Sequence, residues 1–360
     1  MDLRFAYWAT NLGGLVFSSV DETDWSFEAN KALAIAAEDS GFDDALVAAR
    51  FILTSGRGDH LEAVSTSAAL AAVTSRLRLV AAVHPGFWHP GVMAKMAATI
   101  DHVSNGRFAL NIVSGWFKRE FHAYGEPWLD HDERYRRAEE FIEVLKGLWT
   151  QETFTYRGDF YRIHEAWLAP RPVAQPHPAI YQGGNSTAAR QMAARHADWY
   201  FMNGNGLDAV REQIQEIEAL AAPLGRRPSF ALNAFCIVRD SEAEAEAELD
   251  RIMRHANKDA VATFAGHVRG AGQSTKDRIG MWADSDLTTL VQPNDGFRTG
   301  LFGTAEQVAE RIQAYHAIGV DSILCGFLDF PTELPAFGRS VIPLVRAMPS
   351  RRGEVPVASV

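Results

Sequence analysis

Residues 77–114 read LRLVAAVHPGFWHPGVMAKMAATIDHVSNGRFALNIVS, and the pattern of this stretch indicates the fold class. Two runs in it, Leu77–His84 and Phe108–Ser114, are almost continuously apolar, as parallel strands are when both their faces are covered. Between them, Val92–Ser104 repeats its apolar residues at the helical period. The stretch is therefore predicted to form a strand, a helix and a second strand, the unit of an α/β fold.

The same alternation extends in both directions along the chain. The other runs predicted to be strands are Leu3–Ala9, Asp44–Ala48, Ala179–Gln182, Trp199–Asn203, Ser229–Val238 and Ser322–Phe327. The other segments predicted to be helices are Phe27–Ser40, Leu61–Ser75, Glu133–Thr150, Thr187–His196, Leu207–Leu224 and Thr304–Ile318. Eight strands that alternate with helices favour a (β/α)₈ TIM barrel. The alternative, a doubly wound open sheet, usually has a G-x-G-x-x-G fingerprint after its first strand, whereas here that strand runs into Thr10-Asn-Leu-Gly-Gly14.

The chain is longer than a bare barrel, at 360 residues against about 250. The surplus lies near residues 150–177, where FTYRGDFYRI suggests a β-hairpin, and near residues 240–298. There is no Gly/Ser or Pro linker and no low-complexity run. We therefore expect one domain over residues 1–360 with two insertions.

Composition excludes several classes of protein. The 35 Lys and Arg against 45 Asp and Glu give a net charge of −10, so the chain lacks the basic footprint of a nucleic-acid binder or of a membrane-surface protein. No signal peptide or long apolar run is apparent. Two cysteines, Cys236 and Cys325, cannot build a disulfide framework, and this favours the reducing cytoplasm. The 21 Phe and 9 Trp supply many rings for a core or a dry pocket.

The residues predicted at the carboxyl ends of the strands, where barrel active sites lie, are mainly amides, aromatics and small residues. They include no carboxylate pair, and the sequence contains no H-E-x-x-H, no G-x-S-x-G and no Cys/His metal-binding spacing. An aromatic, amide-lined mouth without an acid–base team is typical of an enzyme whose cofactor carries the reactive chemistry.

Two segments are candidates to bind a phosphate. In YQGGNSTAAR (181–190), Gly184 and Ser186 precede a helix whose free N–H groups can bind an anion, although a Ser N-cap in an ordinary turn also fits. In DHDERYRR (130–137), Arg134 and Tyr135 supply a cation and a hydroxyl donor at the start of the long helix. A capping box with Asp130 or Asp132 as the cap is the alternative there. It accounts for the acids better than for Arg134, a cation in the unfavourable first turn.

A third candidate is NIVSGWFKRE (111–120), in which Asn111 interrupts an otherwise apolar strand. A buried amide has to be hydrogen-bonded, so Asn111 meets either a neighbouring backbone group or the edge of a ligand. The strand then opens into a loop that carries Glu120.

These stretches together resemble the bacterial luciferase-like flavin monooxygenases, in particular the branch that uses reduced FMN. The motifs NIVSGWF, HDERYRR, DWYFMNGN and NDGFRT look most like the members that act on dimethyl sulfone, and the resemblance covers nearly the whole chain. It implies a (β/α)₈ barrel with flavin at the mouth. It also makes the insertion near residues 240–298 a candidate lid, with Trp282 and Phe297 on its apolar face. The flavin-contact positions that it implies are Ala49, Arg50, Asn111, Glu120, Arg134, Tyr135, Gly184 and Ser186, the last four of them around the phosphate.

The resemblance also points to residues near the reacting groups. His60 and Glu62 lie in a loop after strand two where the sulfonate branch carries a cysteine, which argues against a straightforward alkanesulfonate substrate. His84 ends strand three where relatives carry apolar residues, with a structural hydrogen bond to a loop as the alternative role. Arg298 is a candidate for binding the substrate oxygens, with a solvated surface position as its alternative.

The activity implied is that of a two-component monooxygenase. An NAD(P)H-dependent flavin reductase supplies FMNH₂, O₂ adds to the flavin at C4a or N5 to give a peroxide, and a C–S bond of a small organosulfur compound breaks, with dimethyl sulfone to methanesulfinate favoured. A homodimer or homotetramer is expected. Alternatives are an N5-peroxide enzyme for a pyrimidine-like heterocycle or a halogenated aromatic, a flavin-binding protein without turnover, and a deazaflavin enzyme.

Overall fold

The computed structural model describes residues 2–54, 58–272 and 285–349. The strands within these ranges are β1 (Arg4–Trp8), β2 (Asp44–Val47), β3 (Arg78–Val83), β4 (Phe108–Ile112), β5 (Phe154–Arg157), β6 (Arg162–Ala166), β7 (Ala179–Gly183), β8 (Trp199–Met202), β9 (Ser229–Phe235), β10 (Ile237–Val238), β11 (Phe302–Gly303) and β12 (Ser322–Gly326). The α-helices are α1 (Phe27–Asp39), α2 (Ala63–Val73), α3 (Pro90–Ser104), α4 (Lys118–Ala123), α5 (His131–Thr150), α6 (Thr187–His196), α7 (Leu207–Ala221), α8 (Glu242–Arg254), α9 (Lys258–Gly272), α10 (Ala305–Ala317) and α11 (Phe330–Ala347).

Eight strands close into a parallel barrel in the order β1, β12, β9, β8, β7, β4, β3, β2. Each of the eight predicted runs supplies one of these strands, so the predicted barrel is confirmed. The run Ser229–Val238 differs in detail, because β9 ends at Phe235. The Cys236 N–H still bonds the Gly326 carbonyl of the barrel, but the Ile237 N–H turns to Leu301, and β10 then pairs with β11 outside the barrel.

The helices follow the prediction where their local signals are strong. Ser26 caps α1 by accepting the Ala29 N–H, and Gly41, with φ of +89°, follows its end as the predicted C′ glycine. Sequence reasoning did not place α4 or α11 as helices. Helix α4 has only six residues, and α11 contains Pro335 and Pro343, which weaken the helical signal.

The two predicted insertions take different forms. Residues 150–177 contain the antiparallel hairpin β5–β6, which is held to α5 because the Glu140 carboxylate accepts three N–H groups of residues 159–161. The described part of residues 240–298 contains α8, α9 and the 3₁₀ turns that begin at Thr289 and Gly296. Phe297, on the second turn, packs edge-on against Phe235 with ring centroids 5.0 Å apart, whereas Trp282 lies outside the described residues.

The main core lies between the barrel and its ring of helices, and a second apolar cluster joins α8 and α9 to the loop after β1. Cys236 and Cys325 are buried free thiols. None of the described helices combines the length and the apolarity that a membrane span requires.

Candidate active site

Two of the predicted segments meet where α5 and α6 begin. Arg134 and Tyr135 lie in the first turn of α5, and Gly184 and Ser186 lie directly before α6. Burial raises the pKa of Tyr135, and the neighbouring Ser186 side chain lowers it. Gly184 has φ of +132°, and a Cβ at this position would lie 2.7 Å from the Tyr135 hydroxyl oxygen, so the close approach requires glycine. We call these four residues the helix-end cluster.

The predicted N-cap is confirmed at α6 but not at α5. Ser186 does cap α6, because its hydroxyl oxygen accepts the Ala189 N–H at 3.2 Å. The predicted capping box at α5 is wrong. Asp130 occupies the N-cap position, but its side chain accepts no backbone N–H from the described residues. Asp132 lies inside the helix, where its carboxylate contacts His131 Nδ1 at 2.8 Å.

Arg134 is a buried cation that has no carboxylate partner among the described residues. Its side chain is only 2 % exposed, and it forms no ion pair within the described ranges. Nη1 donates to the Leu129 carbonyl at 2.7 Å, the guanidinium carbon lies 4.0 Å from the Trp128 ring centroid, and Nε has no partner there. Burial lowers the pKa of Arg134 to about 10. A buried cation at the positive end of a helix dipole is the environment that an anionic ligand stabilises.

Asn111 projects from β4 into the barrel. It borders a small cavity together with apolar side chains, among them Leu46, Val80 and Phe201. Its Oδ1 is buried and accepts no hydrogen bond from the described residues, and the same is true of the Ser114 hydroxyl just beyond the strand. A buried amide oxygen without a donor fits the edge of a ligand better than it fits the predicted alternative, a bond from neighbouring backbone.

The ends of β2 and β3 carry a second polar group. The half-buried Arg50 guanidinium donates through Nη1 to the Ala49 carbonyl at 2.7 Å, and the same nitrogen lies 3.4 Å from His84 Nε2. Its carbon lies 4.4 Å from the Trp116 ring centroid. Burial lowers the pKa of Arg50, and the nearby Glu120 raises it.

Glu120 joins this group from α4. It is fully buried, and its Oε1 accepts the N–H of Phe51 at 2.6 Å and of Ile52 at 3.2 Å. Its Oε2 lies 3.8 Å from His84 Nε2 and accepts no hydrogen bond in the described part of the chain. Glu120 thus fixes the loop that follows Arg50. We call Arg50, His84 and Glu120 the strand-end cluster.

The hydrogen bonds of His84 define its neutral form. The ring is 1 % exposed, and Nδ1 lies 3.0 Å from the Val113 carbonyl, which can only accept. Nδ1 therefore carries the proton, and Nε2 is free to accept from Arg50. Burial lowers the pKa of His84, Glu120 raises it and Arg50 lowers it. His84 thus makes the predicted loop hydrogen bond and also contacts a candidate site residue.

His60 and Glu62 do not join either cluster by any contact between described residues. His60 Nδ1 lies 3.3 Å from the Gly58 carbonyl. Glu62 is the N-cap of α2, since its two carboxylate oxygens accept the N–H groups of Val64 at 2.8 Å and Ser65 at 2.7 Å. This geometry supports a capping role for Glu62, and a catalytic role for either residue stays a prediction.

Arg298 lies on the 3₁₀ turn Gly296–Thr299, half-buried beside a polar cleft. The cleft lining combines this turn with the loops after β7 and β8, and it includes Gly184, Asn185, Asn203, Asn205, Ser285, Asp295 and Arg298. Asp295 has φ of +56° and accepts the Ser285 hydroxyl at 2.7 Å. Arg298 therefore lies next to the helix-end cluster, on the side of Gly184.

Sequence reasoning missed some residues that shape the site. Trp128 stacks on Arg134, but no periodic pattern marks an aromatic residue in a loop. Asp295 adopts a left-handed conformation, for which the Asn294-Asp295-Gly296 turn sequence was the available signal. No cluster of potential metal ligands occurs among the described side chains.

Comparison with known proteins agrees with this geometry. A family described as luciferase-like monooxygenase matches residues 12–322. An FMNH₂-dependent dimethylsulfone monooxygenase of Pseudomonas putida is 50 % identical over 359 residues, which cover 99 % of each chain. A protein of the same description from Pseudomonas fluorescens (strain Pf0-1) is 48 % identical over 360 residues, covering 99 % of this chain and 98 % of the relative.

Among solved structures, riboflavin lyase with modified FMN and riboflavin superposes with a TM-score of 0.84 at 21 % identity, covering 96 % of this chain and 92 % of that one. At that identity, the likeness shows the shared barrel fold. The family match over most of the barrel and two nearly full-length relatives go further. The chain belongs to the luciferase-like monooxygenase family.

Proposed function

We propose that this protein is an FMNH₂-dependent monooxygenase that converts dimethyl sulfone to methanesulfinate. The relatives that share about half of its residues over their full length carry that description. The single structural observation that supports the proposal is Arg134, a buried guanidinium with no carboxylate partner in the described ranges, at the start of α5.

The residues present fit reduced FMN. Arg134 and the hydroxyl of Tyr135 would donate to its phosphate, Gly184 leaves room for the phosphate to approach the backbone, and the start of α6 at Ser186 adds a positive dipole end. Burial raises the pKa of Tyr135, which keeps its hydroxyl a donor. The amide of Asn111, whose buried oxygen lacks a donor, would meet the edge of the ring system.

The reaction balances with one O₂. Dimethyl sulfone, O₂ and FMNH₂ give methanesulfinic acid, formaldehyde, water and FMN. One methyl carbon is oxidised to the aldehyde level and its bond to sulfur breaks. Reduced FMN supplies two of the four electrons that O₂ takes up, and the substrate carbon supplies the other two. The pair of electrons from the C–S bond stays with the sulfinate.

The chain's own task is to orient the sulfone and exclude water. The rings of the barrel mouth suit this task. Trp8 is 8 % exposed, its indole N–H donates to Asn233 at 2.7 Å, and its ring meets Phe201 edge-on at 6.0 Å. These contacts fix a large apolar wall at the end of β1, against which a small, weakly polar substrate can pack.

The source of FMNH₂, the oligomeric state and the cellular compartment complete the proposed function. A separate NAD(P)H-dependent flavin reductase would deliver FMNH₂, in keeping with the relatives' description. We also propose that the enzyme assembles as a homodimer or homotetramer. The cytoplasm is the proposed compartment, and the free thiols Cys236 and Cys325 are compatible with it.

The test is coupled turnover of the full chain with a flavin reductase, NADH, FMN and O₂. Methanesulfinate and formaldehyde should form in equal amounts from dimethyl sulfone, and only when both proteins are present. Uracil and a chloroaromatic compound, offered in parallel, represent the heterocycle and haloarene alternatives. Tight binding of reduced FMN without any turnover would instead support a flavin-binding protein.

A further inference from the structure

Arg50 has unused hydrogen-bonding capacity at the barrel mouth. Within the described chain, both of its hydrogen bonds run through Nη1, to Ala49 and His84, while Nε and Nη2 form none. The Arg50 side chain is only half-buried, so it borders accessible space. Trp116 lies against the guanidinium and restricts its tilt. The guanidinium therefore presents N–H groups outward from a restrained position.

The charge balance around Arg50 differs from that around an ordinary ion pair. No carboxylate oxygen of a described residue lies within 4.0 Å of the Arg50 guanidinium. The nearby Glu120 carboxylate lies instead 3.8 Å from His84 Nε2. Glu120 is occupied by the loop N–H groups of Phe51 and Ile52. The cation is thus offset at longer range by Glu120 while its own donors stay available. This arrangement suits a ligand with oxygens of partial or single negative charge.

A sulfonyl group has that chemistry. The two oxygens of a sulfone accept hydrogen bonds, and they gain charge as the C–S bond breaks and the sulfinate anion forms. A donor that is already oriented stabilises developing charge without reorganisation. A planar guanidinium with two adjacent N–H groups matches a pair of oxygens on one atom.

We propose that Arg50 binds the sulfonyl oxygens of the substrate and of the sulfinate product, and that His84 is the positioning residue that orients its guanidinium. This inference rests on the proposed function, and it makes Arg50 a contact of the substrate instead of the flavin contact that the family resemblance implies. His84 acts by holding the Arg50 guanidinium in a fixed orientation. Its Nδ1 is anchored on Val113, and its Nε2 accepts from Arg50 Nη1, which leaves Nε and Nη2 of Arg50 without a partner in the described chain. The charged groups that face His84 are Arg50 and Glu120.

Two substitutions at His84 separate positioning from packing. In His84→Asn, the amide can keep the hydrogen bond to Val113 but is too short to reach Arg50. In His84→Gln, the longer amide can place its oxygen near the position of Nε2 and accept from Arg50. Asn should therefore lose the function and Gln should recover it, although the two side chains are similarly polar. A merely structural role would not produce this order.

The first measurement is the dissociation constant of methanesulfinate, determined by calorimetry on the full-length protein with and without FMN. Arg50→Ala should weaken sulfinate binding about 10- to 100-fold, the range for a lost hydrogen bond to a charged group. His84→Asn should weaken it about three- to tenfold, and His84→Gln should recover most of the loss. Arg119→Ala, on the exposed face of α4, is the matched control and should bind like the wild type.

The second measurement is steady-state turnover of dimethyl sulfone together with the dissociation constant of FMNH₂. Arg50→Ala and His84→Asn should lower kcat/KM while FMNH₂ affinity stays within threefold of the wild type. Unchanged sulfinate binding in Arg50→Ala, or no sulfinate binding to the wild type, would overturn the inference. So would a loss confined to FMNH₂ affinity, which would make Arg50 a flavin contact only. If the wild type forms no methanesulfinate, the proposed function fails, and the calorimetry still decides whether Arg50 binds sulfinate.

Discussion

The helix-end cluster and the strand-end cluster both contain a desolvated arginine, but they differ in the groups that offset its positive charge. Arg134 has no ion-pair partner in the described ranges and leaves Nε unbonded. Arg50, in contrast, shares its surroundings with Glu120 and contacts His84. The charge of the first cluster would be complemented by an external anion, whereas Glu120 largely offsets the charge of the second. A phosphate with about two negative charges suits the first, and a neutral or singly charged ligand suits the second.

This difference predicts opposite effects on the protein without ligand. Removing a member of the strand-end cluster breaks contacts that the folded chain makes for itself. Removing Arg134 deletes a buried charge whose favourable partner is absent until a ligand binds. Stability and flavin affinity should therefore respond separately to substitutions in the two clusters.

The largest expected effect is on stability in Glu120→Ala. The substitution leaves the Phe51 and Ile52 N–H groups without their acceptor and leaves Arg50 without its nearby negative charge. We expect the free energy of unfolding to fall by about 2–4 kcal/mol, since each buried group left unsatisfied costs about 1–3 kcal/mol. Urea unfolding measures it. Glu120→Gln, which keeps one acceptor oxygen, should recover about half of the loss. Equal stability of the Ala variant and the wild type would mean that this cluster is not balanced internally.

The next effect is on affinity in Arg134→Ala. We expect the binding of FMNH₂ to weaken by about 1.5–3 kcal/mol, or roughly 10- to 150-fold, because a charged hydrogen bond to phosphate is lost. The unfolding free energy of the ligand-free protein should not fall. Anaerobic titration monitored by fluorescence gives the dissociation constant.

Two controls test whether Arg134 acts on the phosphate of FMNH₂. Reduced riboflavin has no phosphate, so its affinity should be the same for the wild type and for Arg134→Ala. Arg136→Ala removes an exposed arginine of the same helix that pairs with Asp159, and it should leave both affinities unchanged. Equal weakening for FMNH₂ and for reduced riboflavin would place Arg134 away from the phosphate.

The sequence predicts the barrel strands and the residues of the helix-end cluster, because both carry local signals. The eight strands carry a local signal, because each is a short apolar run. Gly184 and Ser186 also carry one, since a glycine turn followed by a hydroxyl residue marks a helix start. The register of Arg134 in the first turn of α5 followed from the same kind of local rule.

The contacts between distant segments were beyond such rules. The Phe51 and Ile52 N–H groups meet a carboxylate almost seventy positions later in the chain, so no spacing could reveal that Glu120 anchors the Arg50 loop. The stack of Trp128 on Arg134 depends on how an irregular loop folds back over α5. Glu62 was interpreted as a site residue because of its neighbourhood, and only the backbone geometry shows that it caps α2.

The smallest of the three effects is expected for Tyr135→Phe, which tests whether the helix-end cluster acts through hydrogen-bond donors as well as charge. The Tyr135 hydroxyl lies against Gly184 and next to the Ser186 side chain, so the ring of Phe fills the same space and removes only the oxygen. We expect FMNH₂ affinity to fall by about 0.5–1.5 kcal/mol, the net worth of one hydrogen bond, with reduced riboflavin again unaffected. Tyr156→Phe, on the β5–β6 hairpin, removes a hydroxyl that donates to Glu143 of α5 away from both clusters, and it is the matched control. Unaltered FMNH₂ affinity in Tyr135→Phe would assign the cluster's selectivity to Arg134 and the helix dipoles alone, and the hydroxyl would then serve only to hold Ser186 and the turn at Gly184 in place.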